Sequence, residues 1–204
     1  MKYDAPDDYE TGGGNWLTEP GTYHLLVTSV TEEPKSRDGR LLDGFKVELC
    51  ALEGTVRDKS GEFTEKNKTV DIMFWHPKLS DKNNGEFARK KQGRFFIATG
   101  LIDETVKGKS VEINLEQAVG HQIIATLEDR DSPDGKKFLD LHFADIYHID
   151  DPAAAKFPRS EKSLRLVPVS HRRDPKSFAS GKNGGSSKTQ PPAKSEDDVD
   201  LDNL

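Results

Sequence analysis

The sequence predicts a mainly β domain in which five strands form a small barrel, with one helix between the third and fourth strands and a disordered C-terminal tail. Three observations predict it. Segments in which apolar and polar residues alternate lie between Gly- and Pro-bearing turns, the pattern of half-buried strands. One stretch, 85–99, switches to three- and four-residue spacing, the period of a helix. Fourteen of the sixteen Phe, Trp and Tyr residues precede position 151, which places the core between Gly21 and Ile149.

The first strand is expected over Thr22 to Glu32 (TYHLLVTSVTE), rich in β-formers and preceded by the breaker Pro20-Gly21. Lys35 to Arg40 contains Asp38-Gly39, a strong hairpin signal. Leu41 to Leu52 then alternates, with Phe45, Val47, Leu49 and Ala51 on one side and Lys46, Glu48 and Cys50 on the other. After a polar loop, Thr69 to His76 puts Val70, Ile72 and Phe74 on one face and Asp71, Met73 and Trp75 on the opposite one. Pro77 ends that strand, because proline cannot donate to a ladder.

The helical stretch GEFARKKQGRFFIAT (85–99) spaces Ala88, Phe95, Ala98 and Ile102 on one side, carries Gly93 internally and stops at Gly100. Two further strands are expected over Gln122 to Glu128 and Lys137 to Ile149, joined by the turn-rich loop DRDSPDGK. The order β-β-β-α-β-β is that of the OB-fold, a small, partly open barrel. Immunoglobulin-like sandwiches need about seven strands and no long helix. Other small barrels and α+β folds stay open.

Charge divides the 204 residues further. The net charge is −6, but residues 1–150 hold 20 Lys/Arg against 28 Asp/Glu, residues 151–195 hold 10 against 3, and residues 196–204 hold none against 5. The organisation expected is a flexible arm (1–20) in which Trp16 and Leu17 dock, an OB-like domain (21–150), a basic extension (151–179), a disordered linker (180–195) and an acidic tail (196–204). The linker is rich in Gly, Ser, Pro and Lys and holds no large apolar residue, so it cannot offset its own chain entropy. No run approaches the roughly 18 apolar residues of a membrane span, and no signal-like segment follows Met1. Cys50 is the only cysteine, so no intrachain disulfide or cysteine-based zinc site is expected. A cytoplasmic protein without membrane contact is the expectation.

With those elements in place, the strand pattern, the helix GEFARKKQGRFFIATGL and the finish EDDVDLDNL resemble a phage-type OB-fold single-stranded DNA-binding protein of the kind found among replication and recombination proteins. The likeness covers about Gly21 to Asp151 and the last nine residues. It implies a sequence-tolerant binder of single-stranded DNA, not an enzyme, that recruits replication, recombination or repair proteins through its tail, and it allows a homo-oligomer. The tail departs from the bacterial pattern of an acidic run closed by proline and phenylalanine, since it ends Asp202-Asn203-Leu204.

In OB-folds the second and third strands and the loops joining strands one to two and four to five form the usual nucleic-acid face. Single-stranded binding needs rings for base stacking and cations along the phosphates. The residues expected there are Met73 and Trp75 on the third strand, Lys46 on the second, Lys35, Arg37 and Arg40 by the first loop, and Arg130, Lys136 and Lys137 by the second. The alternative for Trp75 is a ring filling a barrel end; for the loop cations it is solvated turn chemistry among Asp38, Asp129, Asp131 and Asp134. Phe45 and Phe138 are expected in the core. Arg89, Lys90, Lys91 and Arg94 form a basic helix patch, either a solvated face or a track for wrapped DNA. An acidic core that binds DNA implies uneven charge and strong salt sensitivity.

Arg159, Lys162, Arg165, Arg172, Arg173 and Lys176 extend the positive charge, and Leu164 to Val169 is either an added strand or a partner segment. In the tail, Glu196, Asp197, Asp198, Asp200 and Asp202 alternate with Val199, Leu201 and Leu204, a composition that competes with DNA or docks on partner proteins, or simply solubilises.

Signatures of catalysis are sparse. The chain has no GxxxxGK[ST], GxSxG or HExxH. His142-x-x-Asp145-x-x-His148 has suggestive spacing, but on a regular strand 142 and 148 point one way and 145 the other. Asp103-Glu104 and Asp150-Asp151 sit at element ends, where they read as caps and turns. No cofactor or metal is expected. Two other readings stand beside DNA binding: a protein-binding small β-barrel module of a phage assembly, and a metal-dependent nuclease.

Overall fold

The computed structural model describes residues 15–36, 38–78, 82–106, 109–132 and 135–181. Arg37, residues 1–14 of the arm, residues 182–195 of the linker and the whole acidic tail lie outside the described residues.

The alternating segments form five strands: β1 (Gly21–Thr31), β2 (Gly44–Gly54), β3 (Thr69–Trp75), β4 (Gln122–Asp131) and β5 (Lys137–His148). They make one antiparallel sheet in the order β3-β2-β1-β4-β5, so β3 and β5 are its edges. The alternation works as strand geometry requires. On β2, Phe45, Val47, Leu49 and Ala51 are buried and the residues between them half-buried; on β3, Val70, Ile72 and Phe74 are buried.

Several bounds differ from the sequence expectation. β2 begins at Gly44, because Leu41 bridges Lys35 and the Leu42 N–H donates to the Pro34 carbonyl at 2.9 Å, continuing the loop as a small ribbon. β4 runs on to Asp131. The helix α1 (Lys82–Ala98) starts three residues before Gly85 and ends before Gly100, whose φ of 75° is cheap only for glycine.

α1 lies chiefly against β5 and also reaches β3. It contributes Phe95 and Ala98 to the core, where the Phe74 ring lies 4.9 Å from Phe45 and 4.8 Å from Phe95. Removing the fully buried Phe95 ring would cost about 3–5 kcal/mol. Leu17 joins the same core, whereas Trp16 bridges Thr69 alongside the start of β3 and keeps much of its ring exposed.

β5 is not a regular strand. Ala125 pairs with Ile146 but Leu127 with Leu141, so residues 142–145 form a bulge. That bulge is the bend that a regular strand lacks between the spaced histidines. It brings the His142 Nδ1 within 2.9 Å of Asp145 Oδ2, while His148 is buried elsewhere, with its Nε2 on the His171 carbonyl.

The basic extension adds no strand. It forms a short helix, α2 (Glu161–Leu164), with 3-10 turns on either side, and lies over the outer side of β1 and β4. His24 anchors it: its Nδ1 accepts the Ser160 N–H at 3.1 Å, and its Nε2 donates to Gln122 Oε1 at 2.9 Å. Gln122 in turn donates to the Ser163 carbonyl. His121 and His171 stack at 3.6 Å between centroids, and Arg159 and Arg173 donate to the Ile149 and Ile102 carbonyls. Thus part of the extension's positive charge is spent on fastening it to the domain. Asp103 and Asp151 each accept a backbone N–H two residues on, as end caps do. Among the described residues no helix is long and apolar enough to cross a membrane.

Candidate nucleic-acid interface

A cleft of about 550 Å³ opens between the edge strands β3 and β5 and the N-terminal half of α1. Three stretches meet at it: the end of the first hairpin loop at Asp43, the last residues of β3, and the root of the β4–β5 loop at Asp131 and Phe138. The close approach at the β3 end depends on Gly44. It pairs with Trp75, and a Cβ there would lie 2.2 Å from the Phe74 carbonyl oxygen. Gln92 of α1 donates to the Trp75 carbonyl at 2.8 Å, fixing the strand end from the other side.

The rings follow from strand parity. Phe74 points into the core, so Trp75 points out, and 52% of it is exposed. Phe138 was expected in the core and is instead 47% exposed. It shares the outward face of β5 with Asp140, opposite the buried core residues Leu139 and Leu141, and lines the cleft with Trp75, Met73 and Phe87. Phe45 is buried, as expected.

The cations are less available than the sequence suggests. Lys46 donates to Asp71 Oδ2 across β2 and β3 at 2.9 Å. Arg130 donates to Glu128 at 2.8 Å, lies 3.6 Å from Asp140 and sits over the Phe87 ring at 5.1 Å. Lys137 lies 3.7 Å from Asp129. Lys35, Arg40 and Lys136 are exposed in the loops.

The helix patch is broken up. Arg89, Lys90 and Arg94 are exposed, Lys90 being paired with Glu86 at 2.6 Å. Lys91 is only 5% exposed and pairs with Asp140 beneath the cleft, which removes it from any solvent-facing track. Burial pushes its ammonium below the ordinary lysine range, and the Asp140 charge pulls the other way.

Some of this was not anticipated. Phe87 and Lys78 also line the cleft. The two loops share a five-residue tip, Ser36-to-Arg40 (SRDGR) and Ser132-to-Lys136 (SPDGK). In each the first N–H donates to the last carbonyl, the glycine N–H donates back to the serine carbonyl, and the glycine φ is near 80° (81° at Gly39, 77° at Gly135). The sequence signal for both is the repeated motif Ser-x-Asp-Gly-cation. Among the described residues no three His, Cys, Asp or Glu side chains are grouped to hold a metal ion.

Comparison of the chain with protein-family models and with curated proteins gives no match to either.

Proposed function

We propose that the protein binds single-stranded DNA in the cleft between β3, β5 and α1. The observation that carries this reading is the pair of half-exposed rings, Trp75 and Phe138, lining one cleft that the bases of both loops also border. Bases have flat faces whatever their identity, and each stacked base contributes about 1–3 kcal/mol. Aromatic rings in the walls also answer the acidity of the domain. Stacking does not require a positive surface, and the exposed Lys35, Arg40 and Lys136 of the loops supply phosphate contacts outside the cleft.

The strand order and the helix between β3 and β4 support reading the sheet as an OB-fold barrel left open between its edges. On this reading the protein is a binder, not an enzyme, that serves replication or recombination. Its acidic end, 196–204, recruits partner proteins. Titrating the protein with a short oligonucleotide at low salt and following tryptophan fluorescence tests the reading. Quenching that saturates, with a matching gel shift, is expected; unchanged emission and mobility would overturn it.

A further inference from the structure

The chain holds two tryptophans, Trp16 and Trp75, and they are 45% and 52% exposed. Strand parity relates them. Asn15 to Leu17 pairs in parallel with the start of β3: the Thr69 N–H donates to the Asn15 carbonyl and the Leu17 N–H to the Thr69 carbonyl, both at 2.7 Å. Paired residues on neighbouring strands put their side chains on the same face. Burial agrees, because Leu17 and Val70 both enter the core, so Trp16 and Thr69 point outward. Asp71, Met73 and Trp75 share the parity of Thr69. The two tryptophans therefore stand at opposite ends of one outer face. Six steps along β3, from Thr69 to Trp75, place those ends about 20 Å apart.

The face between them is open to solvent. Met73 is half-buried, and the paired Lys46 and Asp71 side chains keep 39% and 32% of their surface exposed. At the far end, the Asn15 side chain donates to the Asn67 carbonyl at 2.9 Å, which holds Trp16 against the strand. Lys66 is exposed in the turn that leads into Thr69 and brings a cation to the Trp16 end.

We propose that Trp16 is a second stacking station, and that one DNA strand runs from the cleft along the outer face of β3 to reach it. The inference rests on the single-stranded DNA reading above and lengthens its site from a cleft to a track. With bases against the sheet, the phosphates lie on the solvent side, clear of Asp71 and Glu48, which Lys46 and Thr28 already engage. A span of about 20 Å corresponds to about six nucleotides at the stacked spacing of about 3.4 Å per strand, and to fewer in a stretched strand. A trinucleotide has two steps between its bases. It would need about 10 Å per step to stack on both rings, which is beyond its extended backbone.

The two stations can be read separately, because they hold the only tryptophans. Trp75→Phe leaves Trp16 as the sole indole and Trp16→Phe leaves Trp75, each keeping a ring at the altered position. Both full-length proteins are titrated at fixed low salt with a thymidine trinucleotide and a twelve-residue oligo-dT, and anisotropy of end-labelled strands measures binding independently. The longer strand should quench both indoles; the trinucleotide should quench Trp75 far more than Trp16. Trp16→Ala should weaken binding of the longer strand about tenfold, one lost stacked base, and leave trinucleotide binding within about twofold. Backbone groups alone pair Asn15 and Leu17 with Thr69, so melting of that variant should stay close to wild type. The single-indole titrations carry the test if it does not. Trp16 emission unchanged by the longer strand while anisotropy reports binding, or an equal loss on both lengths in folded Trp16→Ala, would overturn the track and leave the cleft reading standing. Absence of binding of the longer strand to the wild-type chain would overturn both.

Discussion

Trp75 at the end of β3 and Phe138 at the start of β5 line the same cleft from opposite edges of one sheet, each about half exposed. Neither ring belongs to the core cluster, so removing either tests binding without testing the fold. Trp75→Ala and Phe138→Ala should each weaken single-stranded DNA binding about tenfold, within the range for one lost stacked base. Thermal melting of both should stay close to wild type. Unchanged affinity of a folded Trp75→Ala protein, read by anisotropy of labelled DNA, would remove the ring from the site.

Salt dependence follows from how the cations are held. Lys46, Arg130 and Lys137 each face a carboxylate, at 2.9, 2.8 and 3.7 Å. Phosphate must displace that carboxylate before it gains the cation, so fewer counterions leave the DNA than the count of cations implies. The steep salt response expected from the sequence is therefore revised downward. The slope of log affinity against log salt should be about −1.4 to −2.1, equivalent to two or three phosphate contacts on a single strand. A slope steeper than about −4 would show that the ion pairs open fully on binding.

How far the sequence reveals this structure depends on the kind of signal. Val70, Ile72 and Phe74 alternate strictly, and alternation alone sets both their burial and the exposure of Trp75. Phe138 obeys the same parity, opposite the buried Leu139 and Leu141, but the consecutive apolar pair Phe138-Leu139 leaves the inward face of β5 undecided in the sequence. The 142–145 bulge escaped for a related reason: period-two reasoning assumes an unbroken ladder. Lys91 looked like its neighbours Arg89 and Lys90. Only the partner Asp140, 49 positions away, explains why it is buried. Long-range pairing of that kind leaves no local trace.

That pair makes its own prediction. The Lys91 and Asp140 side chains are 6% and 14% exposed, so the pair sits in a low-dielectric setting. Removing one partner leaves a charge without full compensation, and Lys91→Ala should destabilise the fold by about 3 kcal/mol. Arg130, 3.6 Å from Asp140, limits the loss to that range. The double variant Lys91→Met/Asp140→Leu should recover most of it, because apolar replacement of both partners removes the desolvation penalty. Urea unfolding of the three proteins checks this; additive losses in the double variant would contradict a coupled pair.

The histidines that hold the extension predict a response to acid. His24 and His148 each accept a backbone N–H on Nδ1, from Ser160 and Asp150, both at 3.1 Å, which requires the neutral ring. Burial, aided by Arg159 beside His24 and Arg173 beside His148, lowers both to about 4, and burial with the His171 ring does the same to His121. Between the ordinary histidine value and about 4 the unfolded chain therefore binds more protons than the folded one. Stability is full above about pH 6.5 and falls as pH drops through that window. The melting temperature should fall by about 5 °C or more between about pH 7 and pH 4.5, with amide exchange around Ser160 to Arg173 rising first. His24→Gln keeps a hydrogen-bonding side chain but does not titrate, so its stability should vary less with pH. An identical pH profile in that variant would show that His24 does not hold the extension in place.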